Sequence, residues 1–216
     1  MYQYILIDLD GTLIDPKVGI TKAVAHSLAY FDIQVDDLDT LCKFIGPPLL
    51  ESFIVYYAFD REKAKLAVEK YREYFSVKGI YENTLYQGIP KLLHNLQSSG
   101  KTLILATSKP AVYAEEILKF QKIDTAFTFV SGSEFDGSRV VKKEVIEYAL
   151  EKNSIKDLSA VVMIGDREHD IIGAKQAGIA SIGVSYGYGS IAELQEAGAD
   201  KIAQNLDELL SFLSAV

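Results

Sequence analysis

Residues 5–13 read ILIDLDGTL, a short apolar run that ends in two aspartates, a glycine and a threonine. The three consecutive aliphatic residues at 5–7 predict a strand that is buried on both faces, as in a parallel sheet covered by helices. Asp8 and Asp10 then lie at the carboxyl end of that strand. In open α/β sheets this edge is where ligands bind, because the loops that leave the strands form a crevice there.

Taken alone, these nine residues leave a second interpretation open. Aspartate and glycine are ordinary turn residues, so the segment could simply end a strand. A calcium loop of the EF-hand type is disfavoured, because that loop lies between two helices and needs further ligands at fixed positions, whereas a strand precedes this one.

The length and composition fit one domain with a smaller insertion. The chain has 216 residues, of which 49% are hydrophobic and 24% charged, enough to bury a sizeable core. The net charge of -8 argues against nucleic-acid binding, which needs a basic face. No apolar run long enough to span a membrane and no leader-like N-terminus occurs, and the single Cys42 excludes an internal disulfide, so we expect no membrane partner and a cytoplasmic location.

Residues 16–81 are predicted to form a small helical domain inserted directly after the first strand. Apolar residues recur there at helical spacing, as at Ile20, Val24 and Leu28, and Asp60 is a candidate N-cap. The segment around Gly46 breaks the helical pattern, and we expect it to close over the site as a lid. The remaining residues, 1–15 and 82–216, would form the α/β core.

From residue 82 onward, helical and strand patterns alternate. This alternation is typical of a doubly wound parallel sheet. The predicted strands are 103–107, 127–131, 161–164 and 181–184 with a short one near Ile202, and the predicted helices are 89–98, 111–121, 142–152, 171–177, 192–196 and 207–213.

Two further strands end in chemically useful residues. One is followed by Thr107 and Ser108, and another by Asp166 and Asp170. Because the carboxyl ends of parallel strands share one sheet edge, these groups should lie near Asp8. Carboxylates that converge in this way repel one another unless a cation neutralises them, and oxygen-only ligands select a hard ion such as Mg²⁺.

The chain resembles the haloacid dehalogenase superfamily, specifically its phosphatases with an α-helical cap inserted after the first motif. The resemblance covers the whole chain and rests on four motifs in order, each of which is weak alone. They are D-x-D-G-T at residues 8–12, a threonine or serine at Thr107 or Ser108, a lysine at Lys142 or Lys143, and G-D-x-x-x-D at residues 165–170.

The resemblance implies a Mg²⁺-dependent phosphatase that forms an aspartyl-phosphate. It makes Asp8 the nucleophile and Asp10 the general acid and base. It implies Ser108, or else Thr107, as a phosphoryl contact, and Lys142 rather than Lys143 as the charge-neutralising lysine. The implied metal group is Asp8, Asp10 through its main-chain carbonyl, Asp166 and Asp170, and the implied substrate contacts are Thr107, Gly46, Leu9 and Gly11.

The resemblance also bears on the reaction and its substrate. Asp10 is missing in the dehalogenating branch, so carbon–halogen cleavage is disfavoured. The β-phosphoglucomutase branch has a histidine twelve residues after the nucleophile, where this chain has Ile20. A mutase is therefore the alternative, followed by a catalytically silent binding protein on the same fold. The substrate is expected to be a small phosphorylated metabolite, since the cap segment is similar to a branch described as phosphoglycolate phosphatase-like or 5′-nucleotidase-like.

Overall fold

The chain divides into two compact units. A computed structural model describes residues 2–214, except for the side chain at position 214. Met1–Asp15 and Leu85–Val216 form one unit, called here the core unit, and Pro16–Thr84 form the other, the helical unit.

A six-stranded parallel sheet organises the core unit. In chain order, the eight strands of the described residues are β1 Tyr4–Ile7, β2 Ile14–Asp15, β3 Thr84–Leu85, β4 Thr102–Pro110, β5 Phe129–Ser133, β6 Val161–Gly165, β7 Ala180–Val184 and β8 Lys201–Ala203. The six-stranded sheet has the order β5-β4-β1-β6-β7-β8, and β2 pairs with β3 in a separate two-stranded sheet. The predicted α/β, doubly wound parallel sheet is therefore confirmed.

The register of the central strands places the loop after β1 between two neighbouring strand ends. Ile7 is aligned with Leu105 of β4 and with Ile164 of β6. Asp8 continues this alignment, because its N–H donates to the carbonyl of Ile164 at 2.9 Å. Residues that follow β1, β4 and β6 therefore share one edge of the sheet.

Helices cover the sheet of the core unit and bury its apolar strands. Those of the core unit are α4 Ile89–Ser98, α5 Ala111–Phe120, α6 Lys142–Lys152, α7 Glu168–Ala177, α8 Ile191–Ala197 and α9 Leu206–Ser214. One core cluster joins Leu6, Ile104 and Met163 of the sheet to Val145 of α6 and Ala174 of α7. Both α7 and α8 end at a left-handed glycine, Gly178 and Gly198, as expected for helix C-termini.

Some element boundaries differ from the sequence-based prediction. Helix α7 starts three residues earlier than the predicted 171, because the side chain of Asp170 accepts a hydrogen bond from the N–H of Arg167 and caps the first turn. Strand β5 starts two residues later than predicted, because a 3₁₀ turn, Asp124–Ala126, precedes it.

The helical unit contains α1 Lys17–Ala29, α2 Leu49–Tyr57 and α3 Arg61–Phe75. The predicted N-cap of α3 is present, since the Asp60 side chain accepts a hydrogen bond from the N–H of Lys63 at 2.8 Å. A 3₁₀ helix, Leu38–Phe44, lies between α1 and α2. Within residues 2–214, no helix is both long and apolar enough to cross a membrane.

Candidate active site

The loop after β1 is a tight turn built on one main-chain carbonyl. The carbonyl of Leu9, a fully buried residue, accepts the N–H groups of Thr12, Leu13 and Ile14 at 3.3, 2.9 and 3.1 Å. Gly11 has φ +78°, and a Cβ there would lie 2.1 Å from Oδ2 of Asp166. Only glycine meets both requirements, so the turn can bring the β1 loop against the loop after β6.

Three carboxylates, from the loop after β1, the loop after β6 and the first turn of α7, meet at this edge. Asp8, Asp166 and Asp170 are all buried, and each can offer an oxygen that lies within 4.8 Å of the others. Burial, together with the charges of Asp170 and Asp8, raises the pKa of Asp166 well above its usual range. Burial likewise raises the pKa of Asp170. The cluster therefore resists full ionisation unless a positive charge is added.

Lys142, the first residue of α6, supplies one positive charge to this cluster. Its Nζ lies 2.8 Å from Oδ1 of Asp8 and 2.7 Å from Oδ1 of Asp170, and it donates to the carbonyl of Ala106 at 3.0 Å. Burial alone would lower the pKa of Lys142, but Asp170 and Asp8 outweigh that effect and raise it. The ammonium group therefore stays charged.

A close approach of two helices lets Lys142 enter the site. A Cβ at Gly173 in α7 would lie 2.8 Å from the side chain of Lys142, so only glycine leaves room there. Lys143, the other lysine considered from the sequence, instead lies on the surface with its Nζ 3.5 Å from Glu147.

Asp10 has a different environment from the three clustered carboxylates. Its Oδ2 pairs with Nζ of Lys109 at 2.6 Å, whereas its buried Oδ1 has no hydrogen-bond partner among residues 2–214. Burial raises the pKa of Asp10, although Lys109 opposes that rise. Asp10 is thus a buried carboxyl group with one oxygen available to a ligand.

Lys109 was missed by the sequence analysis. Its side chain is 7% exposed, which is unusual for a lysine, because it enters the site beside Asp10. The available signal was its position two residues after Thr107, at the carboxyl end of β4 in the sheet edge that contains Asp8.

The two candidate hydroxyl residues at the end of β4 differ in exposure. Thr107 is 2% exposed, and its hydroxyl oxygen accepts the N–H of Lys109 at 3.3 Å. Ser108 is half-buried, and its main-chain carbonyl accepts the hydroxyl of Ser133 at 2.8 Å. Gly46 belongs to the helical unit, where it has φ +103° between the 3₁₀ helix and α2.

The donor set of the cluster fits a hard divalent cation. When Asp8, Asp166 and Asp170 are all ionised, the ammonium group of Lys142 leaves a net charge of two negative units. Lys109 does not reduce this charge, since it is neutralised by Asp10. An ion such as Mg²⁺ would balance that charge, and it prefers carboxylate oxygens. The side chain of Asp10 is not one of these three donors, so the expected contribution of Asp10 through its main-chain carbonyl stays a prediction.

Comparisons with known proteins agree on one family. Residues 5–184 match the haloacid dehalogenase-like hydrolases. A 5′-nucleotidase from Pseudomonas aeruginosa is 48% identical over 194 residues, which cover 90% of this chain and 87% of the relative. A phosphoglycolate phosphatase from Vibrio parahaemolyticus is 28% identical, covering 98% of this chain and 96% of the relative.

Two other similar proteins complete the comparison. The tyrosine-protein kinase PtkA of Mycobacterium tuberculosis is 34% identical over 96% of this chain and 71% of its own length. The crystal structure of a predicted phosphatase from Clostridium acetobutylicum has a TM-score of 0.97 and 49% identity, and it covers 100% of both chains. The family resemblance found in the sequence motifs is thereby confirmed.

Proposed function

The chain belongs to the haloacid dehalogenase-like hydrolase family and is a phosphatase of that family; from this premise we propose that it hydrolyses a small phosphomonoester through an aspartyl-phosphate on Asp8, with Mg²⁺ bound. The observation that supports this most is the placement of buried Lys142, which contacts Asp8 while Asp10 lies two residues further along the same loop. The proposed nucleophile Asp8, the cation Lys142 and the proposed proton donor Asp10 therefore belong to one site.

Asp8 is the proposed nucleophile. An oxygen of its carboxylate attacks phosphorus, so an Asp8–phosphorus bond forms while the bond to the ester oxygen breaks. Lys142 holds Oδ1 of Asp8 at 2.8 Å, which fixes the orientation of the carboxylate before substrate arrives. The same ammonium group offsets the negative charge of the phosphoryl group that approaches.

Asp10 is the proposed proton carrier. In the first step it protonates the leaving alkoxide. In the second it removes a proton from the water that attacks phosphorus, and the bond between phosphorus and the Asp8 oxygen breaks, which releases inorganic phosphate and the free Asp8 carboxylate. Burial raises the pKa of Asp10, so the acid form needed for the first step persists to higher pH than in an exposed aspartate. Its Oδ1 has no hydrogen-bond partner among residues 2–214 and is therefore the oxygen available for this proton.

The phosphoryl oxygens need donors as well as cations. Ser108, or Thr107 beside it, is the proposed hydroxyl donor at the end of β4. Leu9 and Gly11, in the turn after Asp8, are further proposed substrate contacts, and Gly46 is a proposed contact from the helical unit.

The proposed metal group is Asp8, Asp166 and Asp170, together with the main-chain carbonyl of Asp10. When bound, Mg²⁺ would supply the positive charge that lets an anionic carboxylate approach a phosphate dianion. The support for this assignment is the charge balance of the cluster and the burial of all three carboxylates.

The substrate class follows from the relatives rather than from the site. The names of the similar proteins favour a nucleoside monophosphate or a phosphoglycolate-type ester. A mutase is disfavoured, because Ile20, where that branch has histidine, is apolar and buried. A silent binding protein is disfavoured, because every position of the four motifs holds a competent residue.

A substrate panel tests this proposal. Phosphate release would be measured from nucleoside monophosphates, phosphoglycolate, hexose phosphates and an aryl phosphate, with Mg²⁺ and with a chelator, and with Asp8→Asn as the control. We expect Mg²⁺-dependent release with a clear preference for one ester. Conversion of β-glucose 1-phosphate to its 6-phosphate without phosphate release would favour the mutase, and transfer from a nucleotide to a tyrosine side chain would favour a kinase.

A further inference from the structure

The segment after β7, residues Tyr186–Gly189, contacts both loops that form the site. The segment donates hydrogen bonds from the Tyr188 N–H to Oδ2 of Asp166 at 2.8 Å, from the Tyr186 hydroxyl to the carbonyl of Thr12 at 3.0 Å, and from the Tyr188 hydroxyl to the carboxylate of Asp15. The segment therefore connects the loop after β6, which contains Asp166, to the chain that follows Asp8.

The glycines of this segment permit an unusually close approach to Asp166. A Cβ at Gly187 would lie 2.3 Å from the carbonyl oxygen of Gly11 and 2.5 Å from Oδ2 of Asp166. A Cβ at Gly189 would lie 1.9 Å from the main-chain oxygen of Asp166. Neither glycine has a positive φ. Glycine is therefore required at both positions for space and not for backbone conformation.

These contacts restrict the carboxylate of Asp166. This residue is fully buried, and Oδ2 accepts the Tyr188 N–H while the backbone of Gly187 packs against the same atom. On the other side, the hydroxyl of Thr12 donates toward Oδ1 at 3.5 Å. The Tyr186 hydroxyl also donates to the carbonyl of Thr12. The segment Tyr186–Gly189 therefore contacts Oδ2 of Asp166 directly and contacts Thr12, whose hydroxyl approaches Oδ1.

We propose that the tyrosine–glycine segment, Tyr186–Gly189, is a positioning element that holds Asp166 in the orientation needed to bind a divalent cation with Asp8 and Asp170. The inference rests on the proposed function for the identity of the metal group. Tyr188 is its main positioning residue, because its main chain holds Asp166 and its side chain ties the segment to Asp15. Groups that orient a metal ligand in this way typically change metal affinity by about 10–100-fold when they are altered.

Isothermal titration with Mg²⁺ alone tests this role without turnover. Gly187→Ala introduces a methyl group against Asp166, and we expect it to weaken Mg²⁺ binding about 10–100-fold. Tyr188→Phe removes one hydroxyl and keeps the N–H to Asp166, so we expect a smaller loss, roughly two- to tenfold. Gly183→Ala is the matched control, because the atoms nearest to its Cβ would belong to the flexible side chain of Leu194, which can move. It should lower the melting temperature and leave Mg²⁺ affinity unchanged.

The melting temperature in chelator shows which variants fold. If Gly187→Ala does not fold, Mg²⁺ affinity is measured instead in the double variant Tyr186→Phe, Tyr188→Phe. A lower Mg²⁺ affinity together with a native circular dichroism spectrum supports the positioning role. Wild-type affinity in the folded variants overturns it, as does an equal loss in Gly183→Ala. A wild-type chain that binds no Mg²⁺ overturns the metal assignment itself, whereas normal Mg²⁺ binding without phosphate release overturns only the proposed reaction.

Discussion

Replacement of Lys142 by methionine should destabilise the chain strongly when no metal is present. Lys142 is buried, and its Nζ lies 2.8 Å from Asp8 and 2.7 Å from Asp170. Its removal leaves three carboxylates in the cluster without a compensating ammonium group. Breaking a buried ion pair by removing one partner costs about 3–5 kcal/mol, so we expect a loss of about 3 kcal/mol, the lower end, because a carboxyl group can take up a proton.

The pH dependence follows from that proton uptake. The pKa of Asp170 is raised to about 6 by burial, against the effect of Lys142, and without Lys142 it rises further. A carboxyl group whose folded-state pKa is raised binds more protons when folded than when unfolded, so its contribution to stability is lost as pH rises through that pKa. The deficit of Lys142→Met should therefore be largest near pH 8 and shrink as pH falls toward about 5.

Urea unfolding in chelator, followed by circular dichroism, measures this deficit. Lys143→Met is the matched control, because Lys143 is exposed and only 3.5 Å from Glu147, a pair expected to contribute about 0.5 kcal/mol or less. Equal unfolding midpoints for Lys142→Met and the wild type at pH 8 would refute the charge argument, as would a deficit that does not change with pH.

Three other predictions concern the carboxylates. Asp8→Asn should abolish turnover while circular dichroism stays native, and turnover above a trace would remove Asp8 as the nucleophile. Asp10→Asn should slow the formation of the phosphoryl-enzyme from an alkyl phosphate by about 10²–10⁴-fold and from an activated aryl phosphate much less; equal losses in single-turnover rates of this first step would contradict its role as a general acid. Excess Mg²⁺, at about 100 times its Kd, should stabilise the wild type by about 2.7 kcal/mol in thermal unfolding, and an equal shift in Asp166→Asn would count against Asp166 as a ligand.

The position of the three clustered carboxylates could be predicted from the sequence. Asp8 and Asp166 follow short apolar strands, and the rules of parallel sheets place the carboxyl ends of those strands at one edge. Adjacent helical residues point in different directions, so Lys142 and Lys143 could not both enter the site, and the family resemblance favoured Lys142. In the structure Lys142 contacts Asp8, whereas Lys143 lies beside Glu147. The chemical roles of these residues stay proposals.

Other parts of the site could not be predicted, because they depend on contacts between distant segments. The pairing of Lys109 with Asp10 joins the end of β4 to the loop after β1. The position of Lys109 at the carboxyl end of a strand places it near the site, but it does not identify Asp10 as its partner. Tyr186 and Tyr188 follow β7, and they contact the chain after β1 because Gly187 and Gly189 leave room for a close approach to Gly11 and Asp166. The start of α7 was missed because Asp170 caps that helix and also belongs to the acidic cluster.

The central claim is that Asp8 becomes phosphorylated during turnover. A rapid quench of the enzyme with its preferred ester, followed by reduction with borohydride and peptide mass spectrometry, tests this directly, because reduction converts an aspartyl-phosphate to homoserine. We predict homoserine at position 8 in the wild type and in Asp10→Asn. Homoserine or a phosphoryl group at another residue, or an unmodified position 8 during rapid hydrolysis, would contradict the account.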